Sequence, residues 1–154
     1  MKFALTSVMA SLESCRLAVL KACANNSRYF NKLPSLFFSM HYYDRLAAGY
    51  NELHEEEQLK KLQVLLKHVT FRGKILDVGA GTCLVARHLD KNIQCISVDS
   101  SKEMLAKGVG ERHVAKAESL PFSNGIFDGV ISLTALHHAD FQQALAEIKR
   151  VARP

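Results

Sequence analysis

Apolar and polar positions along this chain predict strands and helices in turn. Ile75, Leu76 and Val78 make a short apolar run closed by Gly79-Ala80-Gly81. Leu84, Val85 and Leu89 then fall on one side of a helix, with Arg87, His88 and Asp90 opposite. A second strand is expected over Ile93–Asp99, apolar at Ile93, Cys95, Ile96 and Val98 as a strand covered on both faces should be. Ser100 and Ser101 offer an N-cap to a helix over Lys102–Lys107. A short third strand over His113–Ala117 and a fourth over Phe127–Ser132 follow. Asp140 then caps a last helix, Phe141–Val151, with Phe141, Leu145, Ile148 and Val151 at helical spacing. Upstream, Leu59, Leu62, Leu65, Leu66 and Val69 stripe a helix over Glu55–Val69 that should cover one face of the sheet, and Glu57 lies four residues before Lys61. Strands alternating with helices predict an α/β fold with a doubly wound parallel sheet.

The glycine turn carries the chemistry. Two glycines separated by Ala80 let the backbone approach a ligand where a Cβ would intrude, and a following helix start aims N–H groups at the same point. On the C-terminal edge of a parallel sheet this is a nucleotide-type site. A dinucleotide fingerprint asks for a third glycine where this chain has Leu84, so a nicotinamide-dependent oxidoreductase rests only on the turn and an acidic strand end. Asp77 stands two residues before Gly79, where its carboxylate would repel a pyrophosphate but suit a cationic ligand. Asp99 ends the second strand, 18 residues after Gly81, and an acid there can accept hydrogen bonds from the ribose of an adenosine.

Ile75–Thr82 resembles motif I of the class I S-adenosylmethionine-dependent methyltransferases. The run Asp99-x-Ser-x-x-Met-Leu is similar to their second motif, with Ser100 where the family often has an aliphatic residue against adenine. Ala117-Glu118-Ser119-Leu120-Pro121-Phe122 resembles the family's "DAExLPF" segment, with Lys116 in place of its usual Asp, and Phe127-Asp128 follows at the expected distance. A lysine cannot accept a hydrogen bond from an adenine amino group, though the Ala117 backbone still can. Tyr42–Tyr50 resembles the segment that forms a lid in small-molecule methyltransferases; Tyr43 and Tyr50 either close over the cofactor or anchor a helix to the core. Leu133-Thr134-Ala135-Leu136-His137-His138 is similar to the "SxxALHH" stretch of members acting on small molecules, and the tetrapeptide of nucleobase and glutamine methyltransferases is absent.

The resemblance covers roughly Tyr42–Pro154. It implies a Rossmann-like, doubly wound sheet represented by its first four strands in the order 3-2-1-4, out of the family's seven, preceded by N-terminal helices. It implies S-adenosylmethionine as cofactor. Asp77, Gly79, Ala80 and Gly81 would hold the methionine end, and Asp99, Ser100 and Met104 the ribose and its surroundings. Lys116, Ala117 and Glu118 would meet the adenine edge, with Tyr50 and Leu133 against the ligand. His137 or His138 would be a general base towards a small-molecule acceptor, or a packing or capping pair. The competing expectation is a catalytically incomplete cofactor-binding fragment. The fourth strand, lacking a further neighbour, would be an exposed edge prone to self-association.

The net charge of +5 changes this picture little once it is located. Five basic residues and one acid precede Met40, and from Met40 onward 15 basic residues face 14 acidic ones, so no nucleic-acid partner is inferred. Residues 1–39 are expected to be an extension, either a basic presequence or a segment upstream of a natural start at Met40, poorly packed or a loosely docked helix. The recognisable domain spans 40–154. Cys15, Cys23, Cys83 and Cys95 show neither a C-x-x-C pair nor zinc spacing, and no metal site is expected. Cys83 on the helix and Cys95 in the strand read as reduced apolar fillers of a cytoplasmic protein. No run approaches the length of a membrane span.

Overall fold

The computed structural model describes residues 16–20, 50–133, 135–136 and 139–154, with side chains described from residue 55 onward. In chain order its elements are β1 (Arg16–Leu20), α1 (Tyr50–His68), β2 (Lys74–Val78), α2 (Leu84–His88), β3 (Gln94–Asp99), α3 (Lys102–Ala106), β4 (Glu111–Val114), β5 (Gly129–Leu133) and α4 (Phe141–Val151). The sheet order is β1-β5-β2-β3-β4, every pair parallel. The expected 3-2-1-4 order is present as β4-β3-β2-β5. No helix of the described residues is long and apolar enough to cross a membrane.

The period-2 pattern of the strands sorts into two cores. Leu76, Val78, Ile96, Val98 and Val130 face Ala144, Ile148 and Val151 of α4. Ile75 and Ile131 face the other way, onto Leu62 and Leu65 of α1 and Val85 of α2. Burial on both faces explains why β2, β3 and β5 read as nearly continuous apolar runs. α1 covers its face as the leucine stripe predicts, and the i,i+4 pair Glu57–Lys61 closes at 2.8 Å.

Two expectations are corrected. Residues 16–20, read as part of a poorly packed tail or loosely docked helix, form β1 and pair with β5 from Arg16↔Gly129 to Leu20↔Leu133. The fourth predicted strand is therefore not an exposed edge over that length. An arginine followed by four apolar residues cannot declare strand or helix by periodicity; what decides is the row of N–H and C=O groups that β5 presents beyond β2. Phe127, just before β5, bridges in parallel to Ala152 beyond α4. The second correction is β4, which ends at Val114 where His113–Ala117 was expected. It is an edge strand with Glu111, Arg112 and Val114 exposed, so an apolar run does not mark it.

The Glu118–Phe122 segment owes its shape to α4. Glu147 and Arg150 form a two-bond ion pair at 2.6 and 2.7 Å. The guanidinium also donates to the carbonyls of Leu120 (3.0 Å) and Phe122 (2.7 Å) and to Asn124 Oδ1 (3.0 Å), while Glu147 Oε2 accepts from Leu120 N (2.8 Å). A lysine offers no such planar fork. Arg150→Lys should lower the urea midpoint, because the carbonyls of Leu120 and Phe122 lose their shared donor. An unchanged midpoint would show that the loop holds its shape without the fork.

Candidate ligand-binding crevice

The turn after β2 is built from left-handed backbone. Gly79 has φ +74° and Gly81 φ +53°. The N–H groups of Gly79 and Ala80 both donate to the Val98 carbonyl, at 2.8 and 3.0 Å, tying the turn to β3. A Cβ on Gly79 would lie 2.0 Å from Ala135 Cβ, and one on Gly81 3.2 Å from Met104 Cε, so the bend leaves room for neither side chain without movement. Cys83, expected on the helix, instead precedes it as the N-cap with φ 60°. Its buried thiol lies against Gly108, where a Cβ would come within 2.2 Å of Sγ. Burial pushes the Cys83 and Cys95 thiols up, which keeps both protonated.

Asp99 already works within the fold. Its Oδ2 accepts from Gly81 N at 2.8 Å and its Oδ1 from Ser101 N at 2.9 Å. Both oxygens of the Asp99 carboxylate are thus engaged by backbone N–H groups. Ser101 Oγ then caps α3 by accepting from Met104 N at 3.2 Å.

Asp77 is 1 % exposed, and its Oδ2 has no hydrogen-bond partner among the described residues. Its register partner Ser97 also carries a buried, unpartnered Oγ. Burial, and then the neighbouring Asp99 charge, raise the Asp77 carboxyl to about 8. A buried carboxyl oxygen without a partner is costly and asks for a donor. Asp77 borders a crevice of about 50 Å³ with Gly79, Gly81, Leu133 and, from α1, Glu55 and Gln58. That is space for a few waters or a small charged head.

The structure thus gathers Asp77, Gly79, Ala80, Gly81 and Leu133 around one space, with Asp99 and Met104 supporting the turn from behind. Ser100 and Lys116 are exposed, and Ala117 packs on the core beside α4. Glu118 is tied elsewhere: its Oε1 accepts from Asp140 N at 3.0 Å, joining the loop to the start of α4. Tyr50 is the first residue of α1, while its side chain, the segment before it, and both His137 and His138 lie outside the described residues. Among the described residues no group of three or more His, Cys, Asp or Glu is placed to hold a metal ion. Glu55, Gln58 and Thr82 line the crevice without having been singled out in the sequence; on a helix, Glu55 and Gln58 look like any solvated face. A wider groove of about 430 Å³ opens near Phe71, Arg72 and His88, and the unpartnered Asp77 and Ser97 oxygens do not border it.

A family model described as a methyltransferase domain matches residues 76–154. An uncharacterized protein of Methanocaldococcus jannaschii is 34% identical over 119 residues, which is 73% of this chain and 46% of that protein. The uncharacterized methyltransferase YcgJ of Bacillus subtilis is 32% identical over 120 residues, 66% of this chain and 47% of its own length. Among solved structures, an S-adenosylmethionine-dependent methyltransferase of Thermotoga maritima superposes with a TM-score of 0.64 at 25% identity, over 75% of this chain and 57% of that one. The chain spans about half the length of these curated relatives. Because the family match begins inside β2 and runs through the glycine turn, β3, β5 and α4, it takes in most of the residues that build the crevice; the chain belongs to the methyltransferase domain family.

Proposed function

We propose that the crevice binds S-adenosylmethionine and that the protein transfers its methyl group to a small-molecule acceptor. The observation that carries the cofactor reading is the unpartnered, buried Asp77 oxygen at a glycine turn with no room for side chains. The residues fit: Asp77 offers an acceptor to an ammonium group, the bare turn admits the methionine end, and Asp99 places a carboxylate at the end of β3, where a ribose would lie. When bound, the cofactor supplies a methyl on a sulfonium, already activated for displacement. The chain's own work is then to align, and to exclude water from the head of the crevice, where Leu133, Leu84 and Val85 form apolar walls. A small acceptor is supported by the resemblance of the segment after β5 to small-molecule members.

Calorimetric titration of the 154-residue chain with S-adenosylhomocysteine, with NAD as control, tests this reading. Binding of the first and not the second is expected. Asp99→Ala should weaken that binding at least tenfold, since it removes a ribose acceptor and also releases Gly81 N and Ser101 N from their partner. NAD binding in place of S-adenosylhomocysteine would overturn the assignment. A second reading, a binding module without turnover, is motivated by exposed Lys116 where the family has an acceptor. Tight cofactor binding without transfer to any of a panel of small hydroxylated acceptors would favour it.

A further inference from the structure

The crevice has a second carboxylate, supplied by α1. Glu55 borders it at the helix's second turn, and Glu55 Oε1 accepts from Arg87 Nη1 of α2 at 2.9 Å. The two side chains are 32% and 28% exposed, so the pair is half-buried and joins the two helices that flank the glycine turn. The pair is lopsided with respect to the space: Glu55 lines it and Arg87 does not. No lysine or arginine is among the described residues that border it. Asp77 faces the same space, but its burial suppresses its charge. Of the two carboxylates, Glu55 is the solvent-accessible one, 32% exposed against 1 % for Asp77.

We propose that Glu55, held in place by Arg87, is a specificity-determining residue that makes this crevice prefer the cationic methyl donor over its neutral demethylated product. The inference rests on the cofactor reading above. S-adenosylmethionine carries one more positive charge than S-adenosylhomocysteine, at the sulfur, and the two are otherwise nearly the same shape. A fixed negative charge beside the crevice acts on that difference alone, and the low-dielectric walls keep it from being fully screened. The Arg87 bond keeps the carboxylate from swinging into solvent and sets the spacing between α1 and the turn.

The test is the ratio of dissociation constants for S-adenosylmethionine and S-adenosylhomocysteine, by calorimetry, in the full chain and in Glu55→Gln, Arg87→Gln and the reversed pair Glu55→Arg with Arg87→Glu. Urea midpoints are measured alongside. Glu55→Gln should weaken the donor roughly fivefold more than the product, the size expected of a partly exposed charge. Arg87→Gln removes the bond that holds the carboxylate at the mouth, so it should lose part of the preference, though less than Glu55→Gln does. The reversed pair restores a bridge between the helices and puts a cation at the mouth, so it should recover stability while reversing the preference. Equal weakening of both ligands in Glu55→Gln, or a reversed pair that restores the original ratio, would overturn the proposal and leave the pair as a structural tie only. A parent chain that bound neither ligand would overturn the cofactor reading itself, and this inference with it.

Discussion

Gly79→Ala is expected to abolish ligand binding and to destabilise the fold by roughly 3 kcal/mol or more. Two costs combine there. The residue has φ +74°, a left-handed conformation that costs an L-residue about 1–2 kcal/mol. The added methyl would also lie 2.0 Å from Ala135 Cβ, less than the distance between any two non-bonded carbons, so the turn or the chain after β5 has to move. The turn and Leu133, the last residue of β5, border the crevice, so either movement disturbs it. Gly125→Ala separates the two costs, because Gly125 has φ +63° but nothing within 4 Å of its would-be Cβ. It should lose only about 1 kcal/mol. Equal losses in the two variants, read from urea midpoints, would mean that the contact with Ala135 is not a constraint.

Asp77 should make the ligand-free protein less stable as pH rises from about 4 to about 8. Its carboxyl is raised to about 8 in the folded chain, chiefly by burial and secondly by Asp99. In the unfolded chain it titrates near 4. Between those values the folded state holds a proton that the unfolded state has lost, so stability falls with pH by up to about 1.4 kcal/mol per unit. Below about 4 both states are protonated, and above about 8 both are ionised, and the dependence flattens. The whole effect has a ceiling of roughly 5 kcal/mol.

Asp77→Asn should remove most of that slope, since the amide is never charged. At the acid end the sign is opposite. Asp128 is held low first by the Lys74 N–H and then by Arg153, and Glu147 first by Arg150 and then by the Leu120 N–H. Their contributions are lost as pH falls through their folded values. Urea midpoints at pH 5, 6.5 and 8 check both ends. A parent chain with the same slope as Asp77→Asn between pH 5 and 8 would show that the buried carboxyl is not the source. A cationic ligand favours ionised Asp77, so saturating ligand should flatten the parent's slope as well.

Apolar runs located β2, β3 and β5, and the helical spacing of apolar positions located α1 and α4, because each element buries surface that its sequence must carry. Short polar side chains at helix starts were legible for the same local reason. Asp140 Oδ1 accepts from Gln142 N and Gln143 N at 3.0 and 3.1 Å, and Ser101 caps α3. The glycine turn, Asp77 and Asp99 could be named because their chemistry lies in which residue types stand next to one another. Resemblance to a family supplied the order of four strands, which periodicity does not contain.

Other features depended on what each element lies against. Arg16–Leu20 is a strand because β5 has an unpaired edge to offer, and its run of four apolar residues does not say so. Phe127-Asp128 stands out in the sequence without showing its role. In the fold, Asp128 Oδ2 accepts from Lys74 N at 2.7 Å and its other oxygen pairs with Arg153, pinning the starts of β2 and β5 together. Glu118 looked free to meet a ligand, yet the backbone of Asp140, 22 residues away, claims it. Glu55 looked like a solvated helix position until α1 docked beside the glycine turn. By itself the sequence determined which residues face inward, where the chain bends, and which side chains carry charge. Only the tertiary structure decided which of those charges lose their water and which find a partner, because desolvation and hydrogen bonding depend on neighbours that are distant in the chain.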